Sequence, residues 1–297
     1  MPDAKIMAGV NVTTAQISPF GQYVLTRMGS TDAGLQSLIT ETGFDPRRDV
    51  TEILMASNGN TASPGGLLLA RGSFKVDQLV AAVSKDKKTQ VAKYNGATLI
   101  TGMDANSKEA FAFIGTSVAL AGDLASVKAA IDRSGRVNSV TPELATRVQA
   151  LSTTEDAWSV SLASIGSLIP NMGDSTTKSP GAQTFQMVKN IQSSSGGVKF
   201  GSTVDIVGQA VSDTPQNATA LADIIRMVSS LVAMGAAQDP AAGAAAQLIQ
   251  KIKITTNGAA VDITASIPEA DLEGLLKTLT SQSAARATEG SGRARKL

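Results

Sequence analysis

The sequence predicts an α+β protein made of mainly antiparallel sheets. Three observations carry that expectation: the apolar period switches repeatedly between two and helical spacing, tight-turn dipeptides part short apolar runs, and no glycine-rich phosphate loop follows the first strand. At 297 residues the chain exceeds one ordinary compact domain. Two similar lobes are therefore expected, 1–137 and 138–282, each a mainly antiparallel sheet with helices packed on one face.

Taken in order, Ile6 to Val12 reads as a strand. Ser18-Pro19 then supplies a cap and a first-turn proline for a helix carrying Phe20, Tyr23, Val24 and Met28. A helix through Leu35, Leu38 and Ile39 stops at Gly43. Ile53 to Ala56 and Leu67 to Ala70 are short apolar strands joined by a turn-rich segment. Ser73 precedes a helix with Val76, Leu79, Val80 and Val83 on one face. Gln90 to Tyr94 and Ala97 to Thr101 flank Asn95-Gly96, the pair a type I′ turn favours because both central residues need positive φ. Phe111 to Ile114 and Val118 to Ala121 form another hairpin, after which Asp123 caps a helix with Leu124, Val127 and Ile131.

The second half repeats this order. Thr141-Pro142-Glu143 starts a connecting helix, 142–151, and Trp158 to Leu162 stands where Ala8 to Val12 stood. Ile169 to Gly173 loosely echoes Ser18 to Gly21. Pro170 to Thr184 is a Ser/Thr/Gly/Pro stretch expected to be a flexible loop. Val198 to Val211 reads as one long strand or a hairpin. Thr214-Pro215 opens a helix whose core stripe is Leu221, Ile224, Ile225, Val228 and Val232. Lys251 to Thr255 and Ala260 to Ile267 flank a second Asn-Gly pair, Asn257-Gly258, and a helix with Leu272, Leu275, Leu276 and Leu279 follows. The shared order points to an internal duplication. Residues 283–297 lack apolar period and are expected to be a disordered tail.

Composition narrows function by exclusion. The chain has no Cys and no His, which removes thiolate chemistry, Ser-His-Asp and Cys-His triads and the common zinc sites. Aromatic residues are 3% of the chain, too few for a platform that stacks bases. Basic and acidic residues number 26 and 25, so no global field steers the protein to phosphate and no nucleic-acid partner is expected. No run of 18 apolar residues occurs, so no transmembrane segment is expected. Neither a Walker sequence nor a dinucleotide fingerprint is present, and no cofactor or metal is expected.

Three constellations remain. Ser84 and Lys87 match S-x-x-K, a spacing that lets a lysine take a serine proton. Their place at the exposed end of a helix favours lysines that satisfy the last carbonyls. Asp104, Asn106 and Glu109 could offer oxygens to calcium but are too few and lack the glycine of an EF-hand, so an ordinary turn is the simpler reading. Asp45, Arg47, Arg48 and Asp49 form a turn ahead of a strand, its carboxylates expected to pair with guanidinium groups or cap amides, with a binding surface as the functional alternative.

Pro2-Asp3-Ala4, Ala8 to Val12, Ser18 to Gly21, Gly43 to Val50, Ala119 to Asp123 and Pro268 to Leu272 together resemble a group of uncharacterised bacterial exported proteins, in which similar segments follow a signal peptide or lipoprotein leader. The resemblance implies a place beyond the inner membrane, in the periplasm or cell envelope, with a possible membrane tether upstream. It assigns no activity. The functional expectation is a non-catalytic extracytoplasmic binding or structural module that presents a sheet face or inter-lobe cleft to a protein, peptide or lipidic partner. The alternative is a hydrolase or transferase limited to Ser, Lys, Asp and Glu chemistry, with Ser84 and Lys87 as its candidates.

Overall fold

A computed structural model of the chain describes residues 1–30, 33–102, 108–136, 140–168, 188–235 and 240–277. The segments expected to be a flexible loop (170–184) and a tail (283–297) lie outside the described residues, as do Asp104 and Asn106.

The first half opens with β1 (Ile6–Asn11), α1 (Val12–Ile17), α2 (Pro19–Ser30), α3 (Ala33–Thr42) and α4 (Pro46–Asp49). It continues through β2 (Val50–Ser57), β3 (Gly66–Gly72), α5 (Val76–Val83), β4 (Thr89–Tyr94), β5 (Ala97–Gly102), β6 (Glu109–Ile114), β7 (Val118–Asp123) and α6 (Leu124–Asp132). The second half holds α7 (Pro142–Ser152), β8 (Ala157–Ser161), α8 (Ile165–Leu168), β9 (Ile191–Lys199), β10 (Thr203–Ser212), α9 (Pro215–Gly235), α10 (Pro240–Ile249), β11 (Lys253–Asn257) and β12 (Ala260–Pro268). A last helix, α11, spans 269–277.

The α+β class with antiparallel pairing holds throughout. The strands of both halves join in one twelve-stranded sheet, ordered β11-β12-β10-β9-β8-β1-β2-β3-β7-β6-β5-β4. The seam is the antiparallel pair of β1 and β8, in which Gly9 faces Trp158. A Cβ at Gly9 would sit 2.6 Å from the Trp158 ring, so glycine there lets the indole lie flat across the seam.

Local chemistry explains the element ends. Asn11 caps α1 by accepting from the Thr14 amide, Ser18 caps α2 by accepting from Gly21, and Asp123 caps α6 by accepting from Ser126. Gly43 ends α3 with φ +66°. Asn95 and Gly96 both take positive φ, as a type I′ turn requires. The second Asn-Gly site differs: Asn257 pairs with Ala260, so the two loop residues are Gly258 and Ala259, and only the glycine has positive φ.

From the seam outward, β1-β2-β3-β7-β6 is matched by β8-β9-β10-β12-β11. By sheet position the β11–β12 hairpin therefore answers to β6–β7, and the Asn95-Gly96 hairpin β4–β5 is an addition at the far edge of the first half. β9 begins at Ile191, seven residues before the expected strand start, because its Ser193 to Gly197 run has little strand propensity and is held by its neighbours β8 and β10.

A sheet this wide has two faces to cover, and helices lie on both. On the face of Leu67, Ala112 and Leu120, α6 contributes Val127 and Ile131, and α7 packs Leu144 over Val160. On the opposite face, Val50, Ala70 and Phe113 join Phe44, Phe74 and Leu79 beside α3 to α5. That same face in the second half carries Val261 and Ile263 under Leu221, Ala222 and Ile225 of α9. Ile206, Ala265 and Ile267 there meet Leu248 of α10 and Leu272 and Leu275 of α11.

Candidate functional site

Register fixes which side chains share a face, since directly paired residues point the same way. Following the pairs across all twelve strands yields one row: Val91, Ile100, Phe111, Ala121, Leu68, Met55, Ala8, Ser159, Gly196, Gly208, Ile263 and Ile254. Ser159 is its sole hydrogen-bonding side chain. Ile263 and Ile254 at one end pack beneath α9, and Ile100 near the other is buried. Between them the row is bare. Met55 and Phe111 are each 53% exposed, and Leu68 is also exposed.

The bare stretch is concave. Leu68, Met55 and Phe111 line one part, and Ala8, Ser159 and Gly196, with little or no side chain, line the other. Two adjoining cavities of about 470 and 430 Å³ share Ala8 and Met55. The first runs to Ile6, Ser57, Glu109 and Asp123 at one set of strand ends. The second runs to Val10, Ala157, Val198 and Ile206 at the other. Both are open clefts, lined mainly by apolar groups, with the charged ones at the Glu109 and Asp123 end.

A latch also joins the two halves. Ser18 Oγ donates to Glu269 Oε1 at 2.7 Å, and the Phe20 amide donates to the same oxygen at 3.3 Å. Both Ser18 and Glu269 are buried. Phe20 meets Phe200 with ring centroids 6.3 Å apart, and Lys277 Nζ lies 5.5 Å from the Tyr23 ring centre. Thus α2 is tied to α11 beside β10.

Of the described residues singled out in sequence, all but Glu109 lie elsewhere. Asp45 caps α4, accepts from the Arg47 amide, and pairs with the Arg47 guanidinium at 2.8 Å. Asp49 pairs with Arg48 at 2.7 Å and accepts from the Asp45 amide. The bond from Arg47 holds Asp45 below its ordinary pKa despite partial burial, and Arg48 does the same for Asp49. The turn consumes its own charges, the arrangement expected of an ion-paired structural turn. Ser84 closes α5 on the exposed surface, with Lys87 exposed beyond it. Glu109 starts β6 at the mouth of the first cavity. Among the described residues no group of three acidic side chains gathers to hold a metal.

Sequence reasoning missed the bare row. The signal was Leu67 to Ala70, four consecutive apolar residues, which puts apolar groups on both faces of a strand. The expected α9 core stripe needs the same correction. Leu221 and Ile225 face the core, but Val228 is exposed together with Met227, Leu231 and Met234. That helix is long and apolar enough to cross a membrane by length and composition, while its other side rests on the sheet.

No family model matches the chain, and no curated protein matches it in sequence. Solved structures of TP0453 do match in fold. Crystal form III superposes with a TM-score of 0.55 at 9% identity, covering 92% of this chain and 94% of that one. Form IV gives 0.53 at 9% identity with 92% of each chain covered. The likeness is one of architecture over nearly the whole length, and it carries no residue of the trough with it.

Proposed function

We propose that the chain is a non-catalytic binding module that works outside the cytoplasm and holds the hydrocarbon part of a lipidic partner on its bare sheet face. The observation that carries this reading is the row from Phe111 to Gly196, which among the described residues has no roof. An extended peptide lying there would bring backbone polar groups that need partners, and Ser159 is the row's one hydrogen-bonding side chain. A hydrocarbon chain needs none, and each methylene it withdraws from water contributes about 0.8 kcal/mol. The lack of imidazole and thiol and the self-paired Asp45 to Asp49 turn support a binding role over a catalytic one. The resemblance to exported proteins supports the compartment.

The test is titration of the purified chain with an uncharged fluorescent fatty-alcohol analogue. Saturable binding is expected. The double variant Met55→Asp, Phe111→Asp should weaken it at least about tenfold, since two charges in the trough would have to be desolvated. Absence of saturable uptake, or equal uptake by the folded double variant, overturns the reading.

A further inference from the structure

Resting on that reading, we propose that the trough selects a long-chain amphiphile with a cationic head, its chain on the central row and its head at the Glu109 and Asp123 end. The two carboxylates begin β6 and end β7, are direct cross-strand partners, and lie on the same face as Phe111 and Ala121. Their placement side by side gives the mouth two carboxylates that a cation can meet together. Among the residues lining both cavities these are the sole charged side chains, and no lysine or arginine is with them.

Asp123 is held in place for the task. Its Oδ1 accepts from the Ser126 amide at 2.9 Å, which fixes the carboxylate as the α6 cap while leaving further acceptor capacity. Burial pushes its pKa up, but bonds from Ser126 and neighbouring amides outweigh that and keep it below the ordinary value. The mouth is thus negative at neutral pH. A phosphate or sulfate head would sit against like charge with no basic side chain among the described lining residues to receive it, Lys108 standing outside the lining, while an ammonium head would meet both carboxylates.

The experiment displaces the uncharged fluorescent probe with three sixteen-carbon amphiphiles below their micelle concentrations: a trimethylammonium, an alcohol and a sulfate. The ammonium is expected to displace best, about 5- to 10-fold better than the sulfate, a range set by partly exposed charges. Glu109→Gln with Asp123→Asn, which keeps a capping side chain, should bring that ratio to within about twofold. Glu143→Gln, on α7 across the sheet, should leave it as in the wild type. Failure of the probe to bind removes the preceding reading and this one together. A bound probe displaced equally by all three, or a ratio that survives in the double variant, overturns this inference alone. Displacement by a basic amphipathic peptide far tighter than by the ammonium also overturns it, in favour of a protein partner.

Discussion

The same sheet face is sealed over the outer strands of the second half and bare along the middle of the sheet. Over β10 to β12 it is sealed: Val261 has no exposed surface beneath Leu221 and Ala222. Over β1, β2, β3, β7 and β6 it is bare at Ala8, Met55, Leu68 and Phe111. Strand composition does not separate the two, since both halves of the row are apolar. Connectivity does. The link from β10 to β11 is the helical pair α9 and α10, which folds back over the face. The link from β2 to β3 is a short loop, and the link from β3 to β7 carries β4, β5 and β6 sideways to extend the sheet, its helix α5 covering only the end of the face at Ala70 and Phe113. Among the described residues, the face stays open where no connecting helix returns across it.

The largest expected contrast follows directly. Val261→Asp places a charge under α9 with no partner and should cost about 4 kcal/mol or more. Met55→Asp makes the same chemical change on the bare stretch and should cost no more than about 1 kcal/mol. Urea unfolding of the two variants against wild type measures both. Comparable losses would mean that the trough is as closed as the second half.

A smaller contrast lies at the edge of the trough, between Gly196 in its lining and Gly208, which face each other across β9 and β10. A Cβ on Gly196 would come within 2.7 Å of the Val207 carbonyl oxygen, whereas on Gly208 its nearest neighbour is the Ile263 Cβ at 3.8 Å. Gly196→Val should therefore destabilise by about 1–3 kcal/mol through strain and fill the trough. Gly208→Ala should leave stability between unchanged and about 1 kcal/mol higher, because alanine has less chain entropy to lose. Thermal unfolding of both, with probe binding by each, decides whether this edge is shaped by packing or merely lacks side chains.

Much of the architecture was legible because its signals are local. Caps at Ser18, Thr141 and Asp123, the stop at Gly43, and the positive-φ pair Asn95-Gly96 each rest on a residue and its near neighbours. The seam of β1 with β8 was not, since it pairs residues about 150 positions apart and depends on Trp158 lying over Gly9. Nor was β9, whose serines and glycines become a strand through flanking partners rather than propensity. The candidate site was hidden for a related reason. Leu68 and Met55 look like core residues in sequence, and whether an apolar residue is covered depends on helices that arrive from elsewhere in the chain. The charged turn at Asp45 to Asp49 was visible for the opposite reason, because all its partners are adjacent.

That turn sets the border of the covered patch in the first half and supplies the smallest effect. Arg47's carbonyl accepts from Gln16 of α1 at 2.6 Å, and Arg48 donates to Gly43's carbonyl, so the turn binds α1 and the end of α3 to the start of β2. Both aspartates titrate below their ordinary value of 3.8 in the folded chain because of the arginine bonds. A lowered folded-state pKa adds stability that is fully present above the unfolded value and is lost as pH falls through it towards the folded one. Asp45→Asn with Asp49→Asn keeps a capping side chain but removes both ion pairs. The double variant should lose no more than about 1 kcal/mol at pH 7 and should show a shallower decline in stability below about pH 4 than the wild type. Urea midpoints measured from pH 7 down to pH 3 check it. If the variant's acid decline is as steep as the wild type's, the two pairs do not hold the border, and the covered patch depends on the packing of Phe44, Phe74 and Leu79 alone.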